Sequence, residues 1–193
     1  MKKRIAIFAS GSGTNAQNII RYFKSSPVGE VVLVLSNKRH AKVLERAENE
    51  DIKSLYFDKA DLYSEKGVLR TLEKTRVDLI VLAGFLLKFP EIILNKYPNK
   101  VINIHPALLP AYGGKGMYGK HVHEAVINNG ETQSGITIHY VNEAYDEGAI
   151  IFQACTDISV EDTPESLAEK IHILEYEHFP QVIEQLITSE ENG

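Results

Sequence analysis

Ile5-Ala6-Ile7-Phe8-Ala9-Ser10-Gly11-Ser12-Gly13-Thr14-Asn15-Ala16 is the stretch on which the reading of the fold turns. Five apolar residues without polar alternation mark a strand covered on both faces, as in a parallel sheet. Glycines and small polar residues then turn the chain into a helical segment. Glycine permits positive φ and close approach of backbone N–H groups to an anion, and a helix N-terminus adds about half a positive charge. A phosphate is the guest such a turn suits; a tight strand–helix turn without a ligand is the plain alternative. The same residues fit the dinucleotide pattern G-x-G-x-x-A. A nicotinamide enzyme normally carries an acid at the end of its second strand. Here that position reads Ser36-Asn37-Lys38-Arg39, which suits a phosphorylated ribose instead.

The texture of the first strand recurs downstream. Residues 31–35, 79–83 and 101–104 are continuously apolar, and strands are predicted at 4–9, 30–36, 54–57, 79–83 and 101–104 with helical segments between them. Strand–helix–strand repetition implies right-handed crossovers and an α/β fold with a doubly wound, mostly parallel sheet flanked by helices. Beyond Pro106 the texture changes to a long loop over 106–120, then a short helix over 121–129 stopped by Asn128-Asn129-Gly130. Strands at 134–141 and 149–155, joined by a loop over 142–148, read as a C-terminal antiparallel extension. Thr163-Pro164-Glu165 is a helix start with a hydroxyl cap, a first-turn proline and an acid at the positive end of the dipole. Leu167, Ile171, Leu174 and His178 define its inward face, and Pro180 is expected to kink or restart it. Residues 189–193 read as a frayed polar tail.

Composition narrows the class without choosing a chemistry. The chain has 193 residues, 44% of them hydrophobic and 24% charged, with a net charge of -5. One domain over residues 1–193 is expected, with no internal repeat or linker. No clustered basic face suggests nucleic acid, and no apolar run approaches the roughly 18 residues of a membrane span. Cys155 is the single cysteine, so no internal disulfide can form. The expected location is cytoplasmic. His121-Val122-His123, with His105 and His139, raises a metal site, but positions i and i+2 at a helix start diverge, so no metal is expected.

Asn103-Ile104-His105-Pro106 closes a predicted buried strand. Side chains alternate along a strand, so Asn103 and His105 point the same way, roughly 6–7 Å apart. Pro106 holds His105 in an extended backbone. Ligands of open α/β sheets sit outside the carboxyl ends of the strands, and two polar groups there are costly unless paired or used. A hydrogen-bonded pair trimming the sheet end is the alternative to function.

Asn103-Ile104-His105-Pro106-Ala107-Leu108-Leu109-Pro110 resembles the signature of the folate-dependent formyltransferases. Val81-Leu82-Ala83-Gly84-Phe85 and Ser10-Gly11-Ser12-Gly13-Thr14-Asn15 resemble the glycinamide ribonucleotide branch of that family, and the similarity runs from Arg4 to about Ile187. The resemblance implies a formyltransferase-type Rossmann-like fold. It also implies transfer of a formyl group from 10-formyltetrahydrofolate, as co-substrate, to the amine of glycinamide ribonucleotide in purine biosynthesis.

Residue by residue, the resemblance implies Asn103, His105 and Asp146 as the catalytic group. By local pattern alone, Asp146 before Glu147-Gly148 reads as turn chemistry. Gly13, Thr14, Asn15 and Ala16 would hold glycinamide ribonucleotide. Glu175 would take its amine end, although the helical pattern alone leaves Glu175 flanking the core. Leu86, Leu87, Lys88 and Phe89 would read the pterin by backbone, together with Asn103 and the loop Asn142, Glu143, Ala144, Tyr145 and Asp146. Leu87 stands where many relatives carry Arg, and Lys59 is a substitute for a second folate-contacting Arg. The glycine-rich segment 113–119 is either a flap over a ligand or a surface loop, with Lys115 and Lys120 attractive to phosphate or a glutamate tail.

An Asn amide would donate to the growing oxyanion, His105 would hand a proton to the leaving nitrogen, and Asp146 would keep that imidazole charged. The protein is expected to be a monomer or weak homodimer. A tRNA-directed relative would need a second, basic domain, a hydrolase would use water as acceptor, and a sugar-phosphate binder would leave the triad idle.

Overall fold

The computed structural model describes residues 1–189. Seven strands form one sheet in the order β3-β2-β1-β4-β5-β6-β7. They are β1 (Lys3–Phe8), β2 (Gly29–Ser36), β3 (Ser54–Tyr56), β4 (Leu79–Leu82), β5 (Val101–His105), β6 (Gln133–Tyr140) and β7 (Ile150–Asp157). The first five pair parallel, while β6 runs antiparallel to β5 and β7 to β6. Each strand lies within two residues of its predicted bounds, and the mostly parallel sheet with its antiparallel extension is the architecture the apolar runs implied.

Alternation along β1 shows why those runs lack polar residues. Ile5 and Ile7 enter one core with helices α1 (Thr14–Lys24), α2 (Lys42–Asn49), α6 (Lys120–Asn128) and α7 (Pro164–Ser189). Ala6 and Phe8 enter the other, against α3 (Lys59–Leu62), α4 (Arg70–Lys74), α5 (Glu91–Lys96) and the irregular turn Glu65–Leu69. Both faces are covered, so Ile5 to Phe8 are buried at every position. Chain order reverses about β1, which places the switch point between the carboxyl ends of β1 and β4.

Helix α7 corrects two expectations. Its buried stripe is Leu167, Ile171, Glu175 and Phe179, whereas Leu174 and His178 are half-buried flanks. It also runs unbroken through Pro180 to Ser189. A proline ring removes the bond to the carbonyl four residues back, here that of Tyr176. Asn18 Nδ2 donates to that oxygen at 2.8 Å, so the freed acceptor is satisfied from α1. Of the predicted tail, Ser189 ends α7 and residues 190–193 lie outside the described residues. Among the described residues no helix is long and apolar enough to cross a membrane.

Candidate active site

The glycine turn connects β1 to α1. Gly13 has φ 75°, and a Cβ there would overlap the side chain of Val43, so the position demands glycine for conformation and for space. No side chain caps α1 and its first turn holds no acid, which leaves amide donors at the turn for an anion. Leu86 N–H donates to Ser10 Oγ at 3.1 Å, tying the turn to the segment after β4. Behind it, Asn15 Nδ2 and His172 Nδ1 both meet Glu175 Oε2, at 2.8 and 2.9 Å. Glu175 is only 5% exposed, so the carboxylate is buried and paired rather than turned to solvent. Its hydrogen bond raises the His172 pKa. Asn15 Oδ1 is buried without a partner beside this cluster.

The second half of the site hangs on strand register. Asn103 lies opposite His139 and His105 opposite Thr137 in the antiparallel β5–β6 pair. His139 Nδ1 meets the Tyr140 carbonyl at 2.8 Å, which places the ring proton on Nδ1. Its bare Nε2 then accepts Asn103 Nδ2–H at 3.1 Å. His105 Nε2 donates to the Tyr112 carbonyl at 2.7 Å, leaving Nδ1 facing Asp146 Oδ2 at 3.5 Å. The other oxygen, Oδ1, stands 3.6 Å from His139 Nε2. Asp146 occupies the left-handed region at φ 57°, which Asp tolerates better than most residues. Gly114 N–H donates to its Oδ2 at 2.9 Å. One carboxylate thereby joins both histidines to the 113–119 segment.

Charge in this cluster is set by two opposed effects. Burial, the largest influence, pushes the His105 pKa down, and the pulls of Asp146 and the Tyr112 carbonyl do not restore it. Burial pushes Asp146 up, yet its carboxyl lies below its ordinary value; with both facing ring nitrogens bare, the Gly114 N–H is the donor that holds the resting anion. The resting pair near pH 7 is therefore carboxylate and neutral imidazole. That reverses the expectation of a permanently charged His105: the sequence shows the acid partner but not the desolvation. An NMR titration is expected to place the His105 midpoint below the ordinary 6.5. Asp146→Asn, which removes an upward pull, is expected to lower it further. A midpoint above the ordinary value would show that the carboxylate, not burial, governs the ring.

Asn15, Asn103, His105, Asp146 and His172 line one cavity of about 630 Å³, whereas Glu175 and His139 are not among its lining residues and act through the side chains they bond. The glycine turn, Gly11 to Asn15, forms one side, and Ala83 to Leu86 and Asn103 to Pro106 the base. Gly114 to Gly119 form the opposite wall with Tyr145 and Asp146, so the glycine-rich segment is part of the cavity rather than a remote loop. Other named positions fall elsewhere. Ala16 and Phe89 are core residues, the latter edge-on to Phe8 at 5.2 Å between ring centroids, so only their backbones remain for a ligand. Leu87, Lys88, Asn142, Glu143 and Ala144 do not line this cavity, nor does Lys59. Lys120 pairs with Glu124 and Glu165 at 3.3 and 3.2 Å, while Lys115 lines the cavity. His121 is exposed and His123 buried, so the two do not converge. Among the described residues no group of three or more His, Cys, Asp or Glu could hold a metal ion.

His139 and His172 belong to the site and were not singled out for it in the sequence. A hint for His139 was available, because it shares the inward alternation of the predicted strand. A doubly wound sheet with an anion-suited turn and an Asn–His–Asp–His cluster at its switch point defines an enzyme that can hold a phosphorylated substrate, move protons and steady an oxyanion.

Comparison with known proteins supplies the family. The chain belongs to the formyl transferase family, which matches residues 3–183. It is 36% identical to the phosphoribosylglycinamide formyltransferase of Bacillus subtilis, covering 99% of this chain and 98% of that protein. The chloroplastic phosphoribosylglycinamide formyltransferase of Arabidopsis thaliana is 40% identical over 94% of this chain, which spans 64% of that protein. The chain spans just 14% of a matching trifunctional purine biosynthetic protein of Drosophila melanogaster. The crystal structure of phosphoribosylglycinamide formyltransferase from Bacillus halodurans superposes with a TM-score of 0.87 at 38% identity, over 98% of both chains.

Proposed function

We propose that this chain transfers the formyl group of 10-formyltetrahydrofolate to the amine of glycinamide ribonucleotide, by direct attack and without an acyl-enzyme. The observation that carries the reading is the convergence of Asn103, His105 and Asp146 on a cavity that runs to an anion-suited glycine turn. Residues 1–193 act as one domain in this reading. Gly13, Thr14, Asn15 and Ala16 take the phosphoribosyl end, and Glu175, fixed by Asn15 and His172, faces the amine. The folate lies along the Leu86–Phe89 backbone and the loop from Asn142 to Asp146.

The neutral amine, with an α-amino pKa of about 8, attacks the formyl carbon as the C=O bond opens. Negative charge gathers on the formyl oxygen, where the Asn103 amide donates. Its geometry is set beforehand by His139, so no reorganisation is needed at that moment. His105, neutral at rest, accepts the proton shed by the attacking nitrogen at Nδ1, where Asp146 stabilises the imidazolium. The same proton passes to the folate nitrogen as its bond to carbon breaks. Protons balance and the ring returns to its resting form.

Purified protein with both substrates is expected to release tetrahydrofolate only when glycinamide ribonucleotide is present. Turnover without acceptor favours a hydrolase, and no turnover under either condition favours a binding protein. A cytoplasmic location and a monomer or weak homodimer complete the proposal. Sedimentation at micromolar concentration tests the second point, a tight dimer refuting it.

A further inference from the structure

Beside the glycine turn lies a second hollow of about 430 Å³, walled by Ser10 and Gly11 on one side and by Lys38, Arg39, His40 and Lys42 on the other. Gly11 also lines the main cavity, so the two hollows share a stretch of backbone. The formyl-transfer reading gives these cations no task. Among the described residues, Lys38 and Lys42 form no ion pair. The Arg39 guanidinium lies 4.8 Å over the Tyr56 ring, a contact that orients it while leaving its donors free. Helix α2 begins at Lys42 behind Ala41, which offers no side-chain cap, and its first-turn acid, Glu45, does not line the hollow. Ser10 Oγ donates to Asn37 Oδ1 at 2.7 Å, which fixes the cationic loop against the turn. Uncompensated like charges around a concave surface repel one another and favour an anion between them.

We propose that this shelf is a polyphosphate subsite. It binds the outer phosphoryl groups of a nucleoside di- or triphosphate whose inner phosphoryl group sits on the glycine turn. Gly11 borders both hollows, so in this proposal the phosphate chain lies across it with one phosphoryl group on each side. Such a ligand excludes the phosphoribosyl substrate, a consequence that rests on the proposed function placing that substrate's phosphate on the same turn.

Calorimetric titration without divalent metal, using ATP and AMP as probes, tests the subsite. ATP is expected to bind about tenfold more tightly than AMP, and Lys38→Ala/Lys42→Ala to weaken ATP by about tenfold. The same double variant is expected to leave AMP affinity and the KM for glycinamide ribonucleotide within about twofold, because both lysines are remote from the reacting groups. Equal binding of ATP and AMP, no ATP binding, or a variant that binds ATP as well as the parent would overturn the proposal. ATP held through both lysines yet not displaced by glycinamide ribonucleotide would overturn the shared turn. That result would leave formyl transfer itself to the acceptor assay, so the two failures are distinguishable.

Discussion

His105→Ala is expected to lower kcat for formyl transfer by about 10²–10⁴-fold, the span of a lost proton-transfer group. Asn103→Ala should cost about 10²–10³-fold, because it removes the donor aimed at the developing oxyanion. Asp146→Asn should cost about a hundredfold or more, because the carboxamide cannot stabilise an imidazolium at His105 as an anion does. These groups act as a unit, so the triple variant should be little slower than His105→Ala. Each side chain sits at a strand end or in a loop and bonds mainly to its neighbours in the cluster. Circular dichroism and the melting temperature should therefore remain near those of the parent. Steady-state kinetics with both substrates saturating is the measurement. A kcat for Asp146→Asn close to that of the parent would falsify the role given to the carboxylate.

The parallel sheet was readable because its strands are buried on both faces, and residues 5–9 and 79–83 can afford no polar side chain. Asn103 and His105 were readable for the converse reason, as polar residues at the end of such a run. Asp146 was not readable from local pattern. It looks like a turn residue, is one at φ 57°, and reaches the site because the β6–β7 connection folds back over β5. His139 depends on register: it meets Asn103 because those two residues face each other across the antiparallel pair, and a slip of one position would aim it away. The stripe of α7 was misread by one position. Glu175 is polar and was set beside the core, whereas its partners Asn15 and His172 make burial tolerable. Pro180 was misread because the group that relieves it, Asn18, is distant in sequence.

Gly148→Ala is expected to slow the reaction although the residue touches no reacting atom. A Cβ at this position would overlap the carbonyl oxygen of Tyr140, and the Tyr140 carbonyl carbon would lie 2.6 Å from it. Backbone cannot swing aside as a side-chain tip can, so the seam where Tyr140 N–H meets the Ala149 carbonyl at 2.9 Å must open. The displaced oxygen is the acceptor for His139 Nδ1. Without it the ring loses the bond that fixes its tautomer, and with that the acceptor that orients Asn103. Asp146, two residues away, shifts with the same loop. Overpacking of this kind costs about 1–3 kcal/mol of stability, and loosening an oriented donor should lower kcat by about tenfold or more. Gly130→Ala separates the two effects. Gly130 also has positive φ, at 67°, but faces open space and lies outside the cavity lining. That variant should lose about 1 kcal/mol and keep its kcat. Equal kcat in both variants, measured where each remains folded, would show that the Tyr140 carbonyl does not organise the oxyanion donor through His139.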